Sequence, residues 1–382
     1  MAQFLNTINE YKADVVIVGA GISGLTLAEK YAHNGKKVLV IEKRNHIGGN
    51  CYDYYDSDGI LVSLYGPHYF HTNDDGVWEY IQKFSTWKPY EHRVIAHVGN
   101  KKVPIPVNRK TLNTIFDINL TSEQEVQAWY EANREPISDP QNAEDAVKAR
   151  MGSELYKLLF EGYTKKQWGI SPALLSPEVT NRIPIRLNND DRYFTDTYQA
   201  LPVNGYTAFF EKMIESDNIS IILNTDWDEV KNKITWTEKL FFTGRIDQFF
   251  DERYGKLQYR SLRFEFETLD QEYFQEYAQE NYPSLDIPFT RIVEYKHATG
   301  QKNPKTVISR EYSTWDGEPY YPVPSIDNRT IYTKYQDASV KLEGDNIFFV
   351  GRLANYKYFN MDQAFRNALD LFNRLENNRS YE

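Results

Sequence analysis

A single cysteine, Cys51, stands in 382 residues. One thiol excludes an internal disulfide framework and a multi-cysteine metal site, and it fits a reducing cytoplasm. No apolar run reaches the ~18–20 residues that a membrane span needs. The opening MAQFLNTINEYK lacks the charged-then-apolar pattern of a signal segment. Positive charge is in deficit too: 44 Lys+Arg face 54 Asp+Glu, a formal net charge of −10. That balance excludes a broad basic face for nucleic acid or anionic membranes. No internal repeat or low-complexity segment occurs. What the chain does have is apolar mass, 41% hydrophobic and 15% aromatic residues, enough for a sizeable core and too much for disorder. The length suggests two or three domains. The expectation is a soluble, cytoplasmic enzyme. The 29 Tyr, 21 Phe and 7 Trp leave open whether the aromatics serve a core or a stacking ligand.

Residues 14–18, DVVIV, form the short β-branched run of a buried parallel strand. The stretch Gly19-Ala20-Gly21-Ile22-Ser23-Gly24 follows. Next comes LTLAEKYAHNG, helical in its apolar positions Leu25, Ala28 and Ala32, with Gly35 as a stop. A second strand, VLVI at 38–41, ends in Glu42, eighteen residues after Gly24. Strand, glycine turn, helix, strand and acid in this order point to a dinucleotide site. The glycines let the backbone approach a pyrophosphate at the positive end of the helix. The Glu42 carboxylate suits ribose hydroxyls and disfavours a 2′-phosphate, hence NADP. The continuation Lys43-Arg44-Asn45-His46-Ile47-Gly48-Gly49-Asn50 resembles the FAD-binding branch of Rossmann proteins. It reads as a second loop over an extended cofactor, with Arg44 as a cation and Gly48-Gly49 for close approach.

LFFTG (240–244) and NIFFVG (346–351) read as further buried strands of the same fold. NMDQAFRNALDLFNRL reads as a terminal helix with apolar positions Ala364, Leu369 and Leu371, its N-terminus aimed at a ligand. From about 110 to 175 the pattern is helical. Ser122 and Glu125 have capping-box spacing, a helix fits 141–150 before Gly152, and Ser153 is placed to cap the next. Strand alternation marks 257–266, with Leu262, Phe264 and Phe266 on one face, and recurs in RIVEY (291–295) and KTVISREY (305–312). KKVPIPV (101–107), with two prolines, suits an edge strand. The polar run 226–239 reads as solvated surface and the first dozen residues as a loose arm. The fold class expected is α/β: a discontinuous Rossmann-type FAD-binding domain (1–88, 203–245 and 325–382), an inserted helical domain (110–175) and a mostly antiparallel sheet domain (89–109, 176–202 and 246–324).

Nine segments then occur in order: EKRNHIGGNCYD, YGPHYFHT, GYTKKQWG, NRIPIR, TGRIDQFFD, YRSLRFE, FTRIVEYKH, EPYYPV and GRLANYKYFNM. Together they closely resemble the bacterial UDP-galactopyranose mutase family over nearly the whole chain after about residue 12. The resemblance implies reduced FAD, a UDP-sugar substrate, a cytoplasmic homodimer, and redox-neutral interconversion of UDP-galactopyranose and UDP-galactofuranose, possible also for the N-acetyl sugar. It implies that flavin N5 attacks the anomeric carbon as UDP leaves, and that returning UDP displaces the flavin. The furanose would feed surface-glycan assembly. The residues agree with leaving the chemistry to a cofactor: there is no G-x-S-x-G, and Cys51 has no activating partner in the sequence.

Residue by residue, Arg182 and Arg291 match the arginines that hold the substrate pyrophosphate, a task suited to bidentate guanidinium forks. Either arginine alone would read as a surface salt bridge. Tyr193, Tyr321 and Tyr358 match tyrosines around the same phosphates. Tyr163 matches a residue that stacks on uracil, Trp168 one that lines a mobile loop near 169–181, and Asn281 a uridine contact. His68 matches a histidine beside the flavin ring. Arg352, Met361 and Asn360 match positions near flavin, phosphates and ribityl or sugar, with Asn360 standing where many members carry Asp. Gly19, Gly21, Ile22, Ser23, Gly24, Glu42, Lys43, Arg44, Gly49 and Asn50 complete the cofactor set. The spacing of His68 and His71 invites a metal, but no third ligand follows the pattern; no metal is expected, and His71 reads as structural. YEHRVIAHVG (90–99) and LVSL (61–64) depart from the family pattern on the sugar side. Two alternatives share the fold: an amine-oxidase-like FAD oxidoreductase with net redox change, and a non-catalytic nucleotide-sugar-binding flavoprotein.

Overall fold

The structure, a computed structural model, describes residues 1–377. DVVIV is the C-terminal part of a strand, Tyr11–Val18, in which Val15, Val16 and Ile17 are wholly buried. β-branched residues covered on both faces are what a parallel strand between helices requires. It pairs in parallel with Val38–Ile41 on one side and Ile234–Phe242 on the other. The six-stranded sheet runs Gln3–Leu5, Ile219–Ile222, Val38–Ile41, Tyr11–Val18, Ile234–Phe242, Ile347–Phe349, with every neighbouring pair parallel. Helix Ile22–His33 and the terminal helix Met361–Asn377 share one core beneath it, where Leu25, Ala28 and Tyr31 meet Phe365, Ala368 and Phe372. The Rossmann-type expectation holds.

Four readings are corrected. The first residues are not a loose arm: Gln3–Leu5 is an edge strand on Ile219–Ile222, and the Met1 amine pairs with Asp217 at 2.7 Å. The run 226–239 is only partly surface, because Ile234–Lys239 is the first two thirds of an interior strand, Ile234–Phe242; Lys239 is 3% exposed and pairs with Glu376. Ser153 is the first residue of its helix rather than the cap, and its hydroxyl donates to Glu135. In the terminal helix Leu371 is only partly buried, and the core face is led by Phe365, Ala368 and Phe372.

A second sheet of seven strands runs Tyr321–Pro322, Tyr259–Leu269, Thr306–Thr314, Arg291–Glu294, Gln279–Asn281, Val94–Val98, Lys101–Ile105. All neighbours are antiparallel except Gln279–Asn281 with Val94–Val98. The proline-bearing strand sits at the edge, where a missing N–H costs no ladder bond. Helices Arg109–Phe116, Glu123–Asn133 and Ala143–Met151, and the run Ser153–Leu155, Tyr156–Glu161, Gly162–Trp168, enclose a core of Val126, Tyr130, Val147, Leu155 and Phe160. Ser122 and Glu125 form the reciprocal capping box that their spacing predicts. Among the described residues no helix is long and apolar enough to cross a membrane.

Contact, not chance, selects the fingerprint glycines. A Cβ on Gly24 would lie 1.9 Å from the Gly19 carbonyl oxygen, and Gly19 itself has φ +104°. Gly24→Ala is expected to cost about 1–3 kcal/mol of stability, the usual range for overpacking, and to reduce cofactor content. Thermal melts and the absorbance of the purified protein check both.

Candidate functional site

All twelve residues expected around the cofactor line one cavity at the C-terminal edge of the parallel sheet. The residues present fit a dinucleotide. Helix Ile22–His33 starts at Gly21 with no side-chain cap and no acid in its first turn, so its free N–H groups and positive end face the cavity. Glu42 Oε2 accepts from Ala20 N at 2.7 Å and Oε1 from Arg44 N at 2.9 Å, which ties the glycine turn to the second loop. Arg44 donates to Asn50 Oδ1 at 2.9 Å and lies over the Tyr65 ring at 4.3 Å. Gly49 approaches Gly21 so closely that a Cβ on it would lie 3.0 Å from the Gly21 Cα. Lys43 points to the rim, where it pairs with Glu318. Asn360 and Met361 open the terminal helix at the opposite wall, the Asn360 carbonyl accepting from Ala364 N at 3.0 Å. Asp226, Trp227, Thr243, Arg245 and Tyr320 also line the cavity and escaped the sequence reading. Asp226 and Trp227 lay in the run taken for plain surface. Cys51 is buried and its thiol is pushed up to about 12 by desolvation, so it is no nucleophile.

Next to this cavity a short helix, a strand of the second sheet and the last strand of the Rossmann sheet bring three arginines together. Arg182 follows the short helix Glu178–Asn181, Arg291 starts its strand, and Arg352 follows Ile347–Phe349. Arg182 and Arg352 lie over the Tyr358 ring at 4.9 and 5.1 Å, and Tyr321 stacks on Tyr358 at 5.3 Å. Arg291 Nε and Nη2 donate to Glu311 Oε2 at 2.9 and 2.7 Å, and Nη1 to Gln279 at 3.4 Å. Glu311, 1% exposed, was missed: it lies twenty residues from Arg291, and only strand register places the two opposite each other. Among the described residues no carboxylate lies within 4.0 Å of Arg182 or Arg352, so three guanidiniums face one carboxylate. The phenol of Tyr358 reports the resulting field. Partial desolvation of this ring, 36% exposed, pushes its pKa up, but Arg182, Arg352 and Arg291 outweigh that and hold it below the ordinary tyrosine value.

Tyr163 stands on helix Gly162–Trp168 beside this group, its phenol raised to about 12 by burial, with the Arg291 charge opposing. Tyr193 packs edge-on against Phe194 at 4.9 Å, and its N–H donates to the His92 carbonyl at 2.6 Å. Asn281 pairs directly across from Arg291. Tyr320 lines the cofactor cavity whereas Tyr321 turns to the arginines, which assigns the two neighbours. Trp168 is 5% exposed and ends its helix against Ala143, Leu175 and Val323, so it is set into a core rather than standing free on a loop. The segment after it is tied down by Ser176 N to the Pro324 carbonyl at 3.2 Å and by Arg150 to the Thr180 carbonyl at 3.0 Å.

His68 stands at the inner end of the cofactor cavity, where its Nδ1 donates to the Gly66 carbonyl at 3.0 Å. Burial, then the charge of Arg352, pushes its pKa down to about 4, so the ring is neutral at working pH. His71 pairs with Asp196 at 3.0 Å and stacks on Phe194 at 3.6 Å, a structural role. In the departing stretch 90–99, His92 is 2% exposed and stacked on Tyr69 at 3.8 Å, while His97 pairs with Glu280 at 2.6 Å.

Comparison with known proteins gives one family. Residues 158–358 match the profile "UDP-galactopyranose mutase" and residues 17–84 an NAD(P)-binding Rossmann-like domain. A dTDP-fucopyranose mutase of Escherichia coli is 37% identical over 93% of this chain and 96% of its own. A probable UDP-galactopyranose mutase of Klebsiella pneumoniae is 37% identical over 93% of each. The crystal structure of a reduced UDP-galactopyranose mutase superimposes with a TM-score of 0.74 over 96% of both chains at 17% identity, a likeness of fold.

The two neutral imidazoles make stability depend on pH. His68 and His92 are held at about 4 and about 3, against about 6.5 in the unfolded chain. As pH falls below about 6.5 the unfolded chain takes up these protons first, so stability is lost between pH 6.5 and 3 and is intact above. Urea unfolding from pH 7 to pH 4 is expected to show this slope, and His92→Gln to flatten it.

Proposed function

Since the chain belongs to the UDP-galactopyranose mutase family, and so to the isomerases, we propose that it interconverts the pyranose and furanose forms of UDP-galactose, the N-acetyl sugar included, with FAD as its flavin in the reduced state. One observation carries the reading: three guanidiniums with a single carboxylate among them beside a dinucleotide cavity. That surplus of about two positive charges matches a diphosphate. When bound, reduced FAD supplies a nucleophilic N5 for the anomeric carbon, chemistry for which the chain offers no side chain of its own.

The protein's part is to bind, orient and exclude water. Arg182 and Arg291 grip the diphosphate and retain it while the bond to the sugar is open; Arg352 adds charge on the cofactor side. Tyr193, Tyr321 and Tyr358 donate hydroxyls to the same oxygens without cancelling positive charge. Tyr163 stacks on the base and Asn281 bonds its edge. Trp168, from its core position, fixes the segment 169–181 that covers the nucleotide. Neutral His68 supports the flavin ring by hydrogen bonding, and Asn360 serves the sugar side. Keeping UDP in place matters because water admitted to the open sugar would hydrolyse it. A cytoplasmic homodimer and the three-domain division, with the boundaries given above, belong to this reading. An oxidoreductase with net redox change would need neither the paired arginines nor a base platform.

The assay is direct. Dithionite-reduced protein is given UDP-galactofuranose, and UDP-galactopyranose is expected with no stoichiometric flavin oxidation. The oxidised protein is expected to be inactive. dTDP-fucopyranose, the sugar nucleotide in the name of the Escherichia coli relative, is run in parallel to rank sugar and base. Arg291→Ala is expected to lose about 10²–10³-fold in turnover, the range for removing one preorganised charge-stabilising donor, while retaining flavin. Full activity in that variant, or an oxidised sugar from the native chain, refutes the proposal.

A further inference from the structure

One side chain joins the helix that carries Tyr163 to the hairpin whose base carries Asn281 and Arg291. Lys166 Nζ donates to the backbone carbonyl oxygens of Tyr282, Ser284, Ile287 and Phe289 at 2.5, 2.8, 2.9 and 2.9 Å. Residues 282–289 form the loop between strands Gln279–Asn281 and Arg291–Glu294, closed at its neck by Tyr282 N to the Thr290 carbonyl at 2.9 Å. Four carbonyl dipoles therefore converge on one point. They would repel each other there without a positive charge among them. An ammonium has three protons for these four oxygens, so charge holds the loop in this curl more than any single hydrogen bond. The arrangement is that of a monovalent-cation site whose cation comes on a tether.

The helix also lies directly on the loop, since a Cβ on Gly162 would fall 2.3 Å from the Pro283 carbonyl oxygen. At the other end of the helix Arg260 donates to the carbonyls of Gln167 and Lys166 at 3.0 and 3.2 Å, a cation on a helix C-terminus. The adjacent Lys165 takes no part, being paired with Glu161 at 2.7 Å. Burial lowers the Lys166 amine to about 8, so it is still protonated at neutral pH.

We propose that Lys166 is a positioning residue for nucleotide binding: it fixes the hairpin loop 282–289, and with it Asn281 and Arg291, against the helix that presents Tyr163. Asn281 and Arg291 face each other across the strands, so displacement of the loop moves both. The inference rests on the functional reading above, in which these residues take the base and diphosphate.

Lys166→Met keeps the length of the side chain and removes its charge. In the flavin-loaded variant, affinity for UDP is expected to fall at least tenfold. KM should rise in step while kcat changes less than threefold, and amide hydrogen exchange in 282–290 should accelerate. Lys166→Ala is expected to regain UDP affinity in n-propylammonium and not in n-propanol, because the oxygens need a charge and not a filler. Unchanged UDP affinity with unchanged exchange in Lys166→Met overturns the proposal, as does equal rescue by n-propanol. If Lys166→Met loses its flavin or fails to fold, Lys166→Ala decides: recovery with n-propylammonium supports the proposal, and none overturns it. Exchange is recorded without ligand, so a native chain that bound no UDP would refute the functional reading while the loop's exchange still judged Lys166.

Discussion

The site is organised around a local surplus of positive charge inside a chain whose net charge is −10. Taking a guanidinium out of water is costly without a partner carboxylate; Arg291 and Arg352 are half-buried and Arg182 is exposed. Among the described residues only Arg291 of the three has one, Glu311, and Arg182 and Arg352 face aromatic rings instead. Rings and phenols solvate a guanidinium through cation–π contact without cancelling its charge. The Tyr358 phenol, held below its ordinary pKa by these charges, is consistent with that surplus. The acidic surface does little to weaken this, because charges beyond a Debye length of about 8 Å are largely screened at physiological salt. The pattern is a basic pocket in an acidic protein.

That pocket and the cofactor cavity are held together by shared residues. Arg352 lines the cavity and also lies over Tyr358 and Tyr321; His68 lines the same cavity and feels both Arg352 and Arg291. The parallel sheet places its glycine turns at one edge, and the antiparallel sheet delivers Arg291 and Tyr321 to that edge from separate strands. No side chain in the region is poised as a nucleophile with a matched base: Cys51 is locked as a thiol and His68 is neutral with one nitrogen committed to a backbone carbonyl.

How much of this could be read from the sequence follows from how local each feature is. The strand–glycine–helix–strand–acid start was legible because every element lies within about thirty residues and has its own period. The arginines were legible only through ordered family motifs, since an arginine carries no sign of what it will face. Glu311 was not legible, because its meaning comes from antiparallel register. Lys166 was not legible as more than part of a motif, because its partners are backbone carbonyls, which every residue possesses. The N-terminal strand was misread because Gln3 and Phe4 are exposed and only Leu5 is partly buried, leaving no alternation to see. Ile234–Lys239 was misread for the opposite reason: it is the polar first two thirds of a strand with a bulge between Trp236 and Lys239, whose one buried lysine finds its acid 137 residues away.

The bonding of Arg291 shows why Glu311 does not spoil the pocket it sits in. A guanidinium has five N–H donors. Glu311 Oε2 takes the Nε proton and one Nη2 proton, the side-on fork, and Gln279 takes one from Nη1. Two donors remain, one on each terminal nitrogen, which is the number a single bidentate contact to a phosphate uses. Glu311 thus occupies the Nε–Nη2 edge of the guanidinium and leaves donors on Nη1 and Nη2 for another acceptor. Its second oxygen, Oε1, is buried without a partner. A carboxylate that bonded through both oxygens would pair with the arginine more fully and orient it no better. Arg182, with no carboxylate within 4.0 Å among the described residues, is oriented by its ring contact with Tyr358, so the two arginines reach the same availability by different means.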